Sequence, residues 1–532
     1  MLGLHGMAVV EDVVADDLEA LIEEARRRAR RRRRRRAVVV AMLALAAIVG
    51  GWLAGRSGGA GVERETARLP FANLRGFAGQ GELAFVSRDA LWLLDGTSGT
   101  LRRLPVPAGF TPNSPQLSPD GRWLAYLAER SGPDGVEESE VWVAHGDGTD
   151  TRVVTGPNVN RLVGWSPTAD VLALTTDQTE PFPPYPAVTR LDLVAPPALR
   201  RTLVRVSPTR ARPDSIWSAT WSPDGRQIAV STVGTVTKVD AYPIAGGPPT
   251  TWFHIRNNQS FPVHTCSHCG GEKEVIADLA GWWPKWGIGF WAYCCGAVHS
   301  NDGSPLALIT EPGSRPRLLA RTLSDGVTDA VAAAANGALA VVADGPNAGR
   351  EIGQGKTVET CDATTRTCMP VPGATTWVGR NHQRCVIPRI TPQRCVGFVV
   401  APPGQSGSGV SLDPSWSPLG GLLAYVRAPI ALTGGWPDAA WYAAHTVYVW
   451  NTRSGTTRRV TAVDGANVPT WSANGRNLLY VHDDGLWLAP IARGTPIEIA
   501  HPLLPPSGLY SGFTNDFYGQ IPWIHQFSWW AQ

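Results

Sequence analysis

Leu117-Ser-Pro-Asp-Gly-Arg-Trp-Leu-Ala-Tyr126 is one of four versions of a single phrase. The others are Trp221-Ser-Pro-Asp-Gly-Arg-Gln-Ile-Ala-Val230, Trp416-Ser-Pro-Leu-Gly-Gly-Leu-Leu-Ala-Tyr425 and Trp471-Ser-Ala-Asn-Gly-Arg-Asn-Leu-Leu-Tyr480. Each reads as the end of one strand, a tight turn and an apolar second strand. Pro presets φ at the turn, and Gly takes a conformation that a side chain would forbid. A second phrase follows after a variable gap, as in Val141-Trp-Val-Ala-His-Gly-Asp-Gly-Thr149 and Val447-Tyr-Val-Trp-Asn-Thr-Arg-Ser-Gly455. It supplies a third strand and turn, before a short basic-apolar fourth strand such as Arg152-Val-Val-Thr155 or Arg458-Arg-Val-Thr461. Four strands per unit, at a period of roughly 40–50 residues, predict an all-β fold built as a β-propeller.

Eight four-stranded blades can be placed, and seven remain if one unit is demoted. The first blade holds Glu82–Val86, Ala90–Leu94 and Thr100–Leu104 but has no inner strand at its N-terminal side. The chain ends in Gln526-Phe-Ser-Trp-Trp530, an inner-strand pattern with no blade after it. This tail is therefore expected to complete the first blade and close the ring, hiding strand edges that an open ring would expose. The next three units fall near 113–155, 161–204 and 215–255. The fifth, Gly281-Trp-Trp-Pro-Lys-Trp-Gly-Ile-Gly-Phe-Trp-Ala-Tyr293, keeps the outline with Trp286 near the usual Asp position. The sixth, near 327–372, lacks the Pro-Asp-Gly turn, and the last two begin near Val410 and Val468. Insertions are expected near 256–275 and 373–408. The 22 Trp suit many short strands with aromatics packed between sheets.

The chain resembles the TolB-like β-propellers through its Trp-Ser-Pro-Asp-Gly repeats. The likeness covers most of residues 80–530 and is specific in the four phrases quoted first. It implies a propeller with a central channel, usually extracytoplasmic and used for protein contacts. TolB itself has a separate N-terminal domain and six blades, neither evident here, so a Tol–Pal role is not carried over.

The formal charge of +3 over 532 residues conceals an asymmetry. Arg26–Arg28 and Arg30–Arg36 form a basic block that abuts the uncharged run Ala37–Ala54. Beyond the block, acidic and basic residues nearly cancel, so the body offers no case for nucleic-acid binding. The run is about long enough to span a bilayer with local thinning. The Arg excess on its N-terminal side places that end in the cytoplasm. The predicted organisation is a cytoplasmic acidic helix and Arg-rich tail (1–36), a transmembrane signal anchor (37–54), a linker (55–78) and the propeller (79–532). An uncleaved anchor is preferred because the preceding segment is long, although Ser57-Gly-Gly-Ala-Gly61 could admit cleavage. The expected location is the cell membrane, single-pass, with the propeller outside the cytoplasm.

All eight Cys lie beyond the apolar run: Cys266, Cys269, Cys294, Cys295, Cys361, Cys368, Cys385 and Cys395. Their even number on the extracytoplasmic side favours disulfides. Cys361 and Cys368 look like a staple across one hairpin, and Cys385 and Cys395 bracket another. Cys266, Cys269, Cys294 and Cys295 form either two disulfides, one plus a vicinal bridge, or a thiolate zinc site. The disulfide reading is preferred, because an adjacent Cys pair is a poor substitute for a second Cys-x-x-Cys.

Some TolB-like propellers cap serine peptidases, but the chain holds no Gly-x-Ser-x-Gly elbow. Gly404-Gln-Ser-Gly-Ser408 and Gly96-Thr-Ser-Gly-Thr100 both miss the last Gly. Asp120 and Asp224 recur at equivalent turn positions, so they are assigned to turn hydrogen bonds, not acid–base chemistry. No catalytic residue, cofactor or metal is assigned. The function read from the sequence is a membrane-anchored module that binds an envelope protein or other ligand. The alternative is a propeller enzyme, a quinone-cofactor dehydrogenase or a hydrolase-like protein, using the central channel.

Overall fold

The computed structural model describes residues 69–131, 137–155, 159–177, 188–196, 199–206, 214–256, 275–294, 304–324, 331–344, 356–374, 409–429, 443–461, 464–492, 494–503 and 523–531. They form eight antiparallel sheets, each built on four strands that run in sequence order in all but the first. Blade 1 combines 82–103 with the C-terminal strand, and blades 2 to 8 span 111–153, 159–205, 215–256, 275–324, 332–370, 409–459 and 467–501. The weakly patterned sixth unit is a true blade, although its inner strand is only Ala332–Ala333. The predicted span 37–54 lies outside the described residues. So do 257–274 and 375–408, the bulk of both expected insertions.

The quoted phrase folds alike wherever it occurs. Leu117 pairs with Leu124, Trp221 with Ile228, Trp416 with Leu423 and Trp471 with Leu478, always seven residues on. Within the turn, Ser118 Oγ donates to Asp120 and accepts from the Trp123 amide, while Asp120 accepts from the Arg122 amide. Ser222, Asp224, Arg226 and Gln227 repeat this arrangement, as do Ser472, Asn474, Arg476 and Asn477. The side-chain hydrogen bonds that shape the loop are made inside the loop, which is why so short a phrase specifies it.

The ring closes from both ends of the chain. Phe527–Trp530 becomes the inner strand of blade 1, with Phe527 opposite Phe85 and Trp530 opposite Glu82. Phe71–Ala72 adds a fifth strand to the outer edge of blade 8, pairing with His501 and Ala500. That second contact was invisible in the sequence, since two residues carry no periodicity. The core lies between blades. Phe77, Leu83, Phe85 and Leu94 pack against Leu479, Leu486, Leu488 and Ile499 across the closing junction. Six further clusters fill the other junctions.

Indole N–H groups lock neighbouring blades together. Trp165 Nε1 donates to the Gln116 carbonyl, Trp221 to Gly164 and Trp471 to Ser415, at 2.8–2.9 Å. In each pair the acceptor lies one residue before the matching position in the preceding blade. Trp416 follows the blade with the two-residue inner strand, and its buried Nε1 has no acceptor among the described residues.

Blade 3 carries a buried carboxylate. Asp192 is fully enclosed and accepts from Arg190, Arg200 and Thr202, the two guanidiniums each about a third exposed. Burial opposes its ionisation, but the Thr202, Arg200 and Arg190 hydrogen bonds outweigh burial and hold its pKa below the ordinary value. Asp192→Asn should cost about 2–3 kcal/mol at neutral pH, less than a fully enclosed pair because the arginines can turn to water. A folded-state pKa below the unfolded value of about 3.9 gives stability that is complete above that pH and lost as pH falls through the folded value. Urea titrations should therefore show the wild-type advantage shrinking below pH 4. An advantage constant down to pH 2.5 would contradict this account.

Candidate functional site

The fifth blade departs from the repeat, and its departure opens a cleft. Trp283 pairs with Gly287, only four residues on, so this turn is three residues shorter than the Trp221–Ile228 turn beside it. Elsewhere the longer turn lies against the preceding blade. A Cβ on Gly225 would strike Thr168 and Ser166 of blade 3, and one on Gly475 would come within 2.7 Å of Ser417 of blade 7. Blade 5 lacks the residues for that overlap. The gap is an open cleft of about 650 Å³ between blades 4 and 5, within the size range of small-molecule sites.

Three indoles border the cleft, Trp252 and Trp283 largely buried and Trp282 partly exposed. Trp252 comes from the outer strand of blade 4, and Trp282 and Trp283 end the inner strand of blade 5. Trp252 and Trp282 meet edge to face at 4.9 Å. Trp283 does not reach for a carbonyl of blade 4 as Trp221 reaches for blade 3. Its ring lies over Gly281 and Gly289, where any Cβ would collide with it. Two glycines in one sheet thus make room for an indole lying against the blade.

Polar groups complete the lining: Asp224, Arg226, Gln227, Lys285 and Thr310. Hydrogen bonds from the Ser222 hydroxyl and the Arg226 amide hold the Asp224 carboxyl below its ordinary pKa, so it stays ionised and committed to its own turn. Lys285 Nζ reaches the Asn336 carbonyl at 3.3 Å. The exposed Arg226 guanidinium is near enough to Asp224 for its charge to help lower the pKa of that carboxyl. The lining therefore sets two exposed cations, Arg226 and Lys285, and the Asp224 carboxylate beside the indoles.

The short turn is held from the far side. Trp286 is fully buried and donates to the Gly337 carbonyl of blade 6 at 2.7 Å. The Arg366 guanidinium sits 4.7 Å over its ring and donates to the Lys285 carbonyl at 2.6 Å. Arg366 belongs to the hairpin turn between Cys361 and Cys368. Those two residues face each other in register and are joined by a disulfide. A local crosslink in blade 6 thereby stiffens the loop whose guanidinium pins the floor of the cleft.

Of the other sequence-selected residues, those described lie elsewhere. The Cys294 backbone ends the strand Gly287–Cys294, at the end opposite the cleft. Cys266, Cys269, Cys295, Cys385 and Cys395 lie outside the described residues. Ser98, in the near-miss Gly96-Thr-Ser-Gly-Thr100, donates to Asp95 in an exposed turn and meets Thr100. Asp120 is a turn residue too. Burial opposes its ionisation, yet the Arg122 amide, the Ser118 hydroxyl and the Arg122 guanidinium hold it down to about 2. Glu82, at the junction of blades 1 and 2, is pushed up to about 7 by burial and by Asp95 and Asp147.

Sequence reasoning singled out the fifth unit as irregular but did not find the cleft. The usable signal was a count: three residues between Trp283 and Gly287 where the repeat has six. No family model matches the chain, and no curated protein is similar to it. Among solved structures it is similar to an oligogalacturonate lyase in complex with manganese, at 14% identity and a TM-score of 0.40, covering 81% of this chain and 99% of that one. It is also similar to the β-propeller domain of the Trilobed protease from Pyrococcus furiosus, at 10% identity and a TM-score of 0.38, covering 74% and 99%. Prolyl oligopeptidase B from Galerina marginata aligns at 8% identity and a TM-score of 0.39, covering 77% of this chain and 54% of that one. These are likenesses of fold.

Proposed function

We propose that this chain is a ligand-binding propeller of the cell envelope, TolB-like in its repeats, held at the membrane by residues 37–54 and turned away from the cytoplasm. One observation carries the binding reading. The blade 4–5 cleft brings Trp282, beside the largely buried Trp252 and Trp283, together with the exposed Arg226 and Lys285 where the blade 5 turn is three residues short. Its carboxylate is engaged in a turn, so the cleft presents recognition groups and no poised acid or base. The extracytoplasmic placement rests on the Arg block before Ala37–Ala54 and on the Cys all following it.

The test uses the full chain in detergent micelles with a delipidated, protein-free extract of the envelope. The extract should raise the melting temperature of wild type but leave Thr310→Trp unmoved, because an indole there fills the cleft from an exposed position. Equal shifts for both proteins, or none, would remove the cleft from the function. In intact cells, protease added outside should digest the propeller; a protected propeller would overturn the topology.

A further inference from the structure

We propose that ring closure is latched by a proton: Glu82 holds the junction of blades 1 and 2 shut while its carboxyl is neutral and loosens it once ionised. Glu82 begins the strand Glu82–Ser87, directly between Trp530 of the closing strand and Asp95 of the next. Cross-strand partners share one face of a sheet, so two carboxyls meet there, a pairing that disfavours two charges. Blade 2 brings a third. Glu82 Oε2 lies 3.0 Å from where a Cβ on Gly146 would stand, one residue before Asp147. The Trp530 indole lies against Gly121 of the same blade, and its N–H donates to the Pro119 carbonyl. The closing strand, Glu82 and the blade 2 turns thus form one packed unit.

The three carboxyls differ in their partners. Asp95 accepts from the Thr97 amide and the Ser98 hydroxyl, and Asp147 from the amide and hydroxyl of Thr149. Burial opposes the ionisation of Asp95, yet such bonds hold both aspartates below their ordinary pKa. The buried Oε2 of Glu82 has no hydrogen-bond partner, and no cation pairs with Glu82, among the described residues. Nearby basic groups serve others: Arg102 and His145 act on Asp147, and Arg122 reaches Asp120 and Asp170. Gln80 and Gly81, just before it in the chain, are uncharged. An unpaired carboxyl is tolerated in such a place far better neutral than charged. Burial, then Asp95, then Asp147 push Glu82 up to about 7, so it carries the proton of the cluster. The unfolded chain releases that proton near the ordinary value of about 4.3. The stability it confers is therefore complete below about pH 4.3, falls as pH rises and is lost above about 7.

Urea titrations of the full chain in detergent micelles, beside Glu82→Gln, test this; glutamine fixes the neutral form at the same size. The difference between the two proteins is the quantity to follow. Buried His445 and His525, held down to about 4 chiefly by burial, act in the opposite sense, stabilising the fold as pH rises, and they cancel in that difference. Relative to Glu82→Gln, wild type should lose at least about tenfold in its folding equilibrium between pH 5 and pH 8. The loss should stay below the nearly hundredfold of an enclosed group, because solvent reaches Glu82. Amide-exchange protection along Phe527–Trp530 should fall over the same range in wild type and hold in Glu82→Gln, with blade 4 unchanged in both. Asp147→Asn keeps an acceptor for its turn but removes the charge. In that background the loss should level off below the wild-type pH of about 7. A difference flat from pH 5 to 8, closing-strand protection that ignores pH, or a levelling point unmoved by Asp147→Asn would each overturn the latch.

Discussion

Deleting residues 527–532 is expected to destroy cooperative folding of the propeller, not to trim a tail. Phe527 is buried among Phe85, Leu94 and Leu479 in the core that joins blades 8 and 1. Losing such a side chain alone costs about 3–5 kcal/mol. The same cut removes the backbone pairing along 82–85 and leaves a central strand as an open edge. It also removes three contacts that tie the tail to its neighbours. Ser528 Oγ accepts from the Leu117 amide, Trp529 donates to Gln80, and Trp530 donates to Pro119. Each is worth about 1 kcal/mol, and the buried partners left unsatisfied cost more. The total approaches the 5–15 kcal/mol that holds an entire domain together. Circular dichroism and urea titration should show no two-state transition, or a midpoint far below wild type. A melting curve within about 2 °C of wild type would end the idea that the tail closes the ring, since even 1 kcal/mol moves a large domain by about that much.

Replacing Trp286 with Ala should produce the largest loss from a single residue, about 4 kcal/mol. The indole is fully buried in the cluster with Trp283, Trp291 and Leu339 that joins blades 5 and 6. Its removal would leave a cavity, an unpaired Gly337 carbonyl and an Arg366 with nothing beneath it. Trp286→Phe keeps a ring for the guanidinium but gives up the N–H, so it should cost clearly less than the alanine. Because Trp286 belongs to the short turn beside the cleft, the alanine variant should also lose the extract-dependent stabilisation while still folded. Melting curves of the three proteins, with and without extract, decide the matter. A cost below about 1 kcal/mol for Trp286→Ala would show that the turn is held by other contacts.

What could be read without a structure was local. Ser118-Pro-Asp-Gly and its relatives make the side-chain hydrogen bonds that shape the turn within six residues, so the turn, the strand on each side and the register between them follow from the phrase itself. Repetition of that phrase then implies blades, and a leftover inner-strand pattern at Phe527–Trp530 implies closure. Tertiary structure decided everything that depends on what lies across a junction. Phe71–Ala72 is a strand only because the outer edge of blade 8 offers it hydrogen bonds. Trp283 and Trp221 are both inner-strand tryptophans, yet one lies on its own sheet and the other bonds the preceding blade. The length of the turn after each, and Gly281 and Gly289, determine which. The cleft is the sharpest case: it is made by residues missing from one turn, and a missing residue acquires meaning only beside the neighbouring blade it would have covered.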